Sequence, residues 1–187
     1  MKLKQFVPER SHSGTKIKSV EIGKNLILET YKNKSSKAIL RKTINPTDAF
    51  WFGLGLYEAE KSKNVVKKDG RLMASKVAFT NKDPKIINHI INTFEQLGIE
   101  KSTWKGELQA NINHINKEMF EINAPTFWSK QIGINGQKLK HFKYDRRMPK
   151  YNKKYEEEFF GIMTIYQYNL CLKSFVDNLI KNIPISQ

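Results

Sequence analysis

The sequence predicts an α+β fold, and two observations carry that reading. From residue 46 onward the pattern runs helix, two strands, helix, strand, inserted helices, strand, helix, which is αββαββα once the insertion is set aside. A hydrophobic content of 39% over 187 residues is enough for one sizeable core, so residues 46–187 read as the main domain. Residues 1–45 read as a basic arm followed by a short β-rich extension.

Charge narrows the partners. Lys and Arg number 33 against 18 Asp and Glu, a net charge of +15, and nucleic acid is the polyanion such a balance points to. The single cysteine, Cys171, excludes an intramolecular disulfide framework and a cysteine-rich zinc site, and its apolar neighbours predict a buried thiol. Residues 1–5 lead into no long apolar stretch, and no apolar run reaches membrane-spanning length. The expectation is an intracellular, soluble protein, cytoplasmic or nucleoid-associated, with no membrane partner.

Taken in order, residues 1–15 are polar and basic, with Ser11, Ser13 and Gly14 close together, and read as a loose arm along a phosphate backbone. Three β-like runs follow at 16–22, 25–31 and 37–43, the first two joined by a turn at Gly23 and Lys24. Residues 46–62 predict a helix, with Asn45 as cap, Pro46 in the first position and Asp48 in the first turn. It is apolar almost all round. Gly55 and Ala59 stand four apart, a spacing that lets another helix backbone approach closely. Glu58 and Glu60 occupy the end that the helix dipole disfavours for anions, so a cation is expected beside them.

Asp69 and Gly70 predict a hairpin turn. Asp83 caps the next helix, Pro84 opens it, and Ile86, Ile87, Ile90, Ile91, Phe94 and Leu97 form its stripe before Gly98 ends it. His89 on that helix has no metal-ligand spacing to another histidine. The run 107–115 alternates: Leu108, Ala110, Ile112 and His114 on one face, Gln109, Asn111, Asn113 and Ile115 on the other. The second face offers side-chain amides, which can pair bidentately with adenine in a major groove. A helical pair is expected at 116–122 and 125–133, broken at 123–125 and ended by Gly133. Lys138, Lys140, Lys143, Arg146, Arg147, Lys150, Lys153 and Lys154 then form a run opposed only by Asp145, which reads as a phosphate-contacting loop. A strand at 159–168 and a helix at 169–181, with Leu170, Phe175, Val176, Leu179, Ile180 and Ile183 on its apolar face, complete the order.

The stretch GLGLYEAEK at 53–61 resembles the LAGLIDADG motif of homing endonucleases, and FTNKDP at 79–84 resembles the strand-to-helix junction of that family. Glu60 takes the place of the motif's final acid, commonly Asp, and Lys61 that of its closing glycine. The resemblance implies a LAGLIDADG homing-endonuclease-like αββαββα domain with a four-stranded antiparallel DNA-binding sheet. It implies motif helices packed in pairs, and with no second motif copy in this chain that means a homodimer through Gly55, Leu56 and Ala59. It implies phosphodiester hydrolysis with Mg2+ or Mn2+ held at Glu60, Asn81 placing the attacking water and Lys181 assisting. The implied partner is double-stranded DNA with a near-palindromic site. Arg71, Lys76, Gln109, Asn111 and Asn113 would read sequence, and the basic run would hold phosphates. The alternative is a non-cleaving DNA-binding regulator on the same scaffold, or an RNA-splicing helper whose partner is intron RNA.

Overall fold

The computed structural model describes residues 1–30, 36–62, 76–145 and 160–183. Strand β1 (Ile17–Ile22) turns at Gly23 into β2 (Asn25–Thr30), and β3 (Lys37–Arg41) completes a three-stranded antiparallel sheet ordered β1-β2-β3. Period-two alternation puts Leu26, Leu28, Ala38 and Leu40 on its buried face. Residues 1–15 are not the loose arm expected. Leu3–Phe6 form a 3-10 turn with Leu3 and Phe6 buried, and the Met1 ammonium donates to the Ile44 carbonyl at 2.6 Å. Apolar anchors at both positions hold the polar residues between them.

Helix α1 (Asp48–Glu60) starts two residues later than Asn45 and Pro46 suggested, because Thr47 caps it, its Oγ1 accepting from Phe50 N at 3.3 Å. Strand β4 (Lys76–Asn81) and helix α2 (Pro84–Gln96) follow, with Asp83 capping α2 as expected. Gly98, at φ +100°, ends this helix where the next backbone crowds it: a Cβ there would sit 2.8 Å from Arg41 N. Arg41 N in turn donates to Leu97 O at 2.8 Å, fastening the first sheet to the end of α2.

Strand β5 (Lys105–Ala110) is shorter than the alternation at 107–115 predicted. The Asn111 carboxamide accepts from Asn113 N at 3.0 Å and turns the chain out of the ladder, the local competition for which asparagine is suited. Helix α3 (Lys117–Ile132) is one helix where a broken pair was expected. Pro125 lies inside it without an N–H to donate, and is buried together with Ala124 and Trp128. Gly133, at φ +69°, ends α3 as read from the sequence.

Strand β6 (His141–Tyr144) arises inside the basic run that was expected to be a loop, and β7 (Ile162–Tyr168) leads into helix α4 (Leu170–Lys181). The second sheet is ordered β4-β7-β5-β6, with β6 parallel to β5 and the other pairs antiparallel. It is therefore mixed, not antiparallel: the long crossover through α3 brings the chain back in the direction of β5. The expected Asp69–Gly70 hairpin lies outside the described residues.

Helices α1, α2 and α4 contact β4, and one face of the sheet carries Val77, Phe79, Leu108, Met163 and Ile165, all buried. Aromatic rings fill the layer between, with Tyr57 5.2 Å from Phe94, Phe94 5.2 Å from Trp104, and Phe79 5.6 Å from Trp104. Cys171 is buried as predicted, its thiol donating to Ser36 O, and burial pushes its pKa up. No helix among the described residues is long and apolar enough to cross a membrane.

Candidate nucleic-acid interface

Helix α1 has two faces with opposite surroundings. Phe50, Gly53, Leu54 and Tyr57 are buried, and a Cβ on Gly53 would fall 1.9 Å from Thr93 Oγ1 of α2. Gly53 is therefore the glycine at which α1 approaches α2 closely. Ala49, Phe52, Gly55 and Ala59 are exposed on the other side, Leu56 is half-buried, and a Cβ on Gly55 would meet nothing within 4 Å among the described residues. A glycine inside a helix costs about 1 kcal/mol relative to alanine, and no contact among the described residues offsets that cost at Gly55.

The last turn of α1 leads straight onto the second sheet. Lys61 forms an isolated antiparallel bridge with Phe79, and Ser62 N donates to Ala78 O at 2.9 Å. Lys61 is extended at φ −62° and ψ 140°, a conformation open to any residue, so the chain leaves this helix without the glycine of the motif. Its ammonium is the cation expected near the acids, 2.6 Å from Glu58 Oε2. Glu60, half-buried, makes no hydrogen bond or ion pair among the described residues.

Beneath this junction lies a charged cluster that sequence reasoning missed. Lys173 has a side chain only 1% exposed, and its Nζ lies 2.7 and 2.5 Å from the two carboxylate oxygens of Asp177. His12 Nε2 lies 2.7 Å from Asp177 Oδ2, Lys61 Nζ lies 3.8 Å from Asp177 Oδ1, and His12 N donates to Ser174 Oγ at 3.2 Å. Burial raises the Asp177 pKa, but hydrogen bonds from His12 and Lys173 and the charges of Lys173 and Lys61 outweigh it and hold the carboxyl below its ordinary range. Burial, with Asp177 and Glu58 nearby, pushes the Tyr57 hydroxyl well up, and that hydroxyl has no hydrogen-bond partner among the described residues. The spacing of Lys173 and Asp177, four apart on one helix, was the only signal in the sequence.

Away from the helices, the second sheet turns a polar face outward. Alternation and register put Lys76 and Thr80 of β4, Thr164, Tyr166 and Tyr168 of β7, Lys105, Glu107 and Gln109 of β5, and His141 and Lys143 of β6 on that face. Lys76 Nζ stands 4.1 Å from the centre of the Tyr166 ring. A chain of polar contacts crosses all four strands. Thr80 Oγ1 is 2.8 Å from Thr164 Oγ1, Gln109 Nε2 donates to Thr164 Oγ1 at 3.2 Å and to Glu107 Oε1 at 2.9 Å, and His141 Nδ1 is 3.1 Å from Glu107 Oε2.

Of the residues expected to contact DNA, Lys76, Gln109 and Lys143 stand on this face. Asn111 does not: it is 1% exposed and committed to the turn after β5, while Asn113 is exposed in that turn and outside the strand. Lys138 donates to the Ser102 carbonyl, and Lys140 is exposed just before β6. Arg71, Arg146, Arg147, Lys150, Lys153 and Lys154 lie outside the described residues. Asn81 Oδ1 accepts from Asp83 N at 2.8 Å in the turn before α2, and Lys181 is exposed in the last turn of α4. Glu60, Asn81 and Lys181 thus sit on three elements, with no hydrogen bond or ion pair joining them among the described residues. No group of three or more His, Cys, Asp or Glu side chains is gathered to hold a metal among the described residues. No family model, curated protein or solved structure matches the chain.

Proposed function

We propose that the chain is a homodimeric, site-specific double-strand DNA endonuclease of the LAGLIDADG homing type. The observation that carries this reading is the outer face of α1: an exposed small-residue surface around Gly55 and Ala59, one turn from Glu60 and continuous with the sheet. A two-fold axis along that face would let two backbones approach where Gly55 lacks a side chain, and would bring one Glu60 from each copy to the same end. The net charge of +15 and the lysines of the polar sheet face suit a duplex lying against that sheet.

The donor set suits a hard divalent cation. Glu60 offers carboxylate oxygens not engaged by any described residue, and the pair from two copies would hold Mg2+ or Mn2+ together with phosphate oxygens. When bound, such an ion stabilises charge on the phosphate and the leaving oxygen. Lys61, paired with Glu58 and facing Asp177, fixes the helix end that presents Glu60. The Asn81 amide nitrogen remains for water, since its oxygen is held in the turn.

The test is cleavage of a randomised duplex library with magnesium, wild type beside Glu60→Gln. Specific cuts by wild type alone are expected, with a near-palindromic consensus. The lack of any hydrogen bond or ion pair joining Glu60, Asn81 and Lys181 among the described residues favours a second reading, a sequence-specific binder that does not cut. Equal retention of one DNA sequence by both proteins, without cleavage, would establish it.

A further inference from the structure

We infer that Gln109 is a specificity residue fixed as a hydrogen-bond acceptor, and that it selects cytosine at one position of each half-site. The inference rests on the DNA-binding reading above and goes beyond it to a base. The Glu107 carboxylate can only accept, so the Gln109 atom 2.9 Å from it is the amide nitrogen and not the oxygen. The same nitrogen also donates to Thr164 Oγ1 at 3.2 Å, so both of its hydrogens are engaged. Thr164 is itself held by Thr80 at 2.8 Å, and Glu107 is flanked on its other oxygen by His141 at 3.1 Å. Turning the amide over would set its oxygen against Glu107 Oε1, an acceptor, and His141 holds that carboxylate in place. What Gln109 has left is its carbonyl oxygen, which takes no hydrogen bond from any described residue.

This changes what the residue can read. Bidentate pairing of glutamine with adenine needs the amide nitrogen to donate to N7 while the oxygen accepts from N6. With its nitrogen engaged, the Gln109 amide has no donor left for adenine N7. Guanine and thymine present O6, N7 and O4, all acceptors, to an acceptor. Cytosine N4 is a donor with no acceptor beside it on the major-groove edge, and it fits. The row spans four strands, roughly 14 Å at the usual strand spacing, comparable to the width of a major groove. The Glu107 carboxylate on a face with Lys76, Lys105 and Lys143 then has a purpose: it weakens phosphate attraction locally but sets the amide.

The experiment is selection of a randomised duplex library by the full chain without magnesium, sequenced for wild type, Gln109→Met and Glu107→Ala, each first shown to unfold cooperatively. Wild type is expected to enrich cytosine at one position per half-site. Gln109→Met should flatten that position alone, by on the order of fivefold, the worth of one hydrogen bond. Glu107→Ala frees the amide to turn, and the preference there should move from cytosine toward adenine. A consensus that Gln109→Met leaves unchanged overturns the inference while the endonuclease reading stands, as does a general gain in affinity by Glu107→Ala without a change of base. If wild type enriches no sequence, the DNA-recognition reading fails and takes the inference with it.

Discussion

A Cβ added at Gly53 would lie 1.9 Å from Thr93 Oγ1, while one added at Gly55 would meet no atom of the described residues within 4 Å. The two glycines are two residues apart, and the same substitution should act on them with opposite sign. Gly53→Ala forces α1 away from α2 and is expected to cost about 1–3 kcal/mol in urea unfolding. Gly55→Ala removes a helix-interior glycine without a clash and should stabilise the monomer by up to about 1 kcal/mol, while weakening self-association in sedimentation. A Gly55→Ala protein that is destabilised as a monomer would show that this face is already occupied within the chain. The spacing of Gly55 and Ala59 was legible in the sequence. The role of Gly53 was not, because which glycine meets α2 depends on how the helix is rotated on the sheet. Asn111 misled for a related reason: alternation marks a residue's parity but not the place where a side chain takes over the backbone's hydrogen bonds.

At the scale of the element, α4 is the clearest case of a sequence read correctly and incompletely. Its apolar face was visible, and Phe175, Val176 and Leu179 are buried on it. Lys173 and Asp177 on the same helix were invisible as a site, since their pairing is created by burial against His12 and Lys61 from distant elements. Asp177→Ala leaves the Lys173 ammonium buried without its counter-charge, and a loss on the order of 3–5 kcal/mol is expected. The pH dependence has a definite sign. Because the folded-state pKa of Asp177 is lowered, its contribution is present above the ordinary value of 3.8 and is lost as pH falls through the lower, folded value. Wild-type stability in urea should therefore fall as pH drops below about 3.8, and Asp177→Asn should lose that part of the slope. An unchanged slope would assign acid sensitivity to other carboxylates.

At the scale of the whole molecule, one apolar cluster runs from Leu3, Phe6, Leu26 and Leu40 of the N-terminal segment through Phe79 and Phe94 to Phe175. Asn178 Nδ2 donates to Phe6 O at 2.9 Å, a further tie between the first residues and α4. Removal of residues 1–45 should therefore expose the apolar side of α4 and the end of α2. The expected result is dye binding and a broad thermal transition. A fragment 46–187 that melts sharply at the wild-type midpoint would show the first sheet to be an independent attachment. The β-runs of this segment were legible from their alternation, and the order of elements after residue 46 was largely so. The parallel placement of β6 was not, because the run 138–154 is dominated by charge, and its four strand residues are too few to stand out against it.

The division of α1 into an inner wall built on Gly53 and an outer wall built on Gly55 makes the molecule modular in a practical sense. Ala49 and Ala59 are exposed outside the core, so they can be exchanged for charges without redesigning the monomer. A copy made acidic at both positions and a copy made basic there would repel their own kind and attract each other. In the dimer and DNA contact proposed above, two chains joined in that way and carrying differently altered sheets would address an asymmetric sequence that no symmetric pair could read.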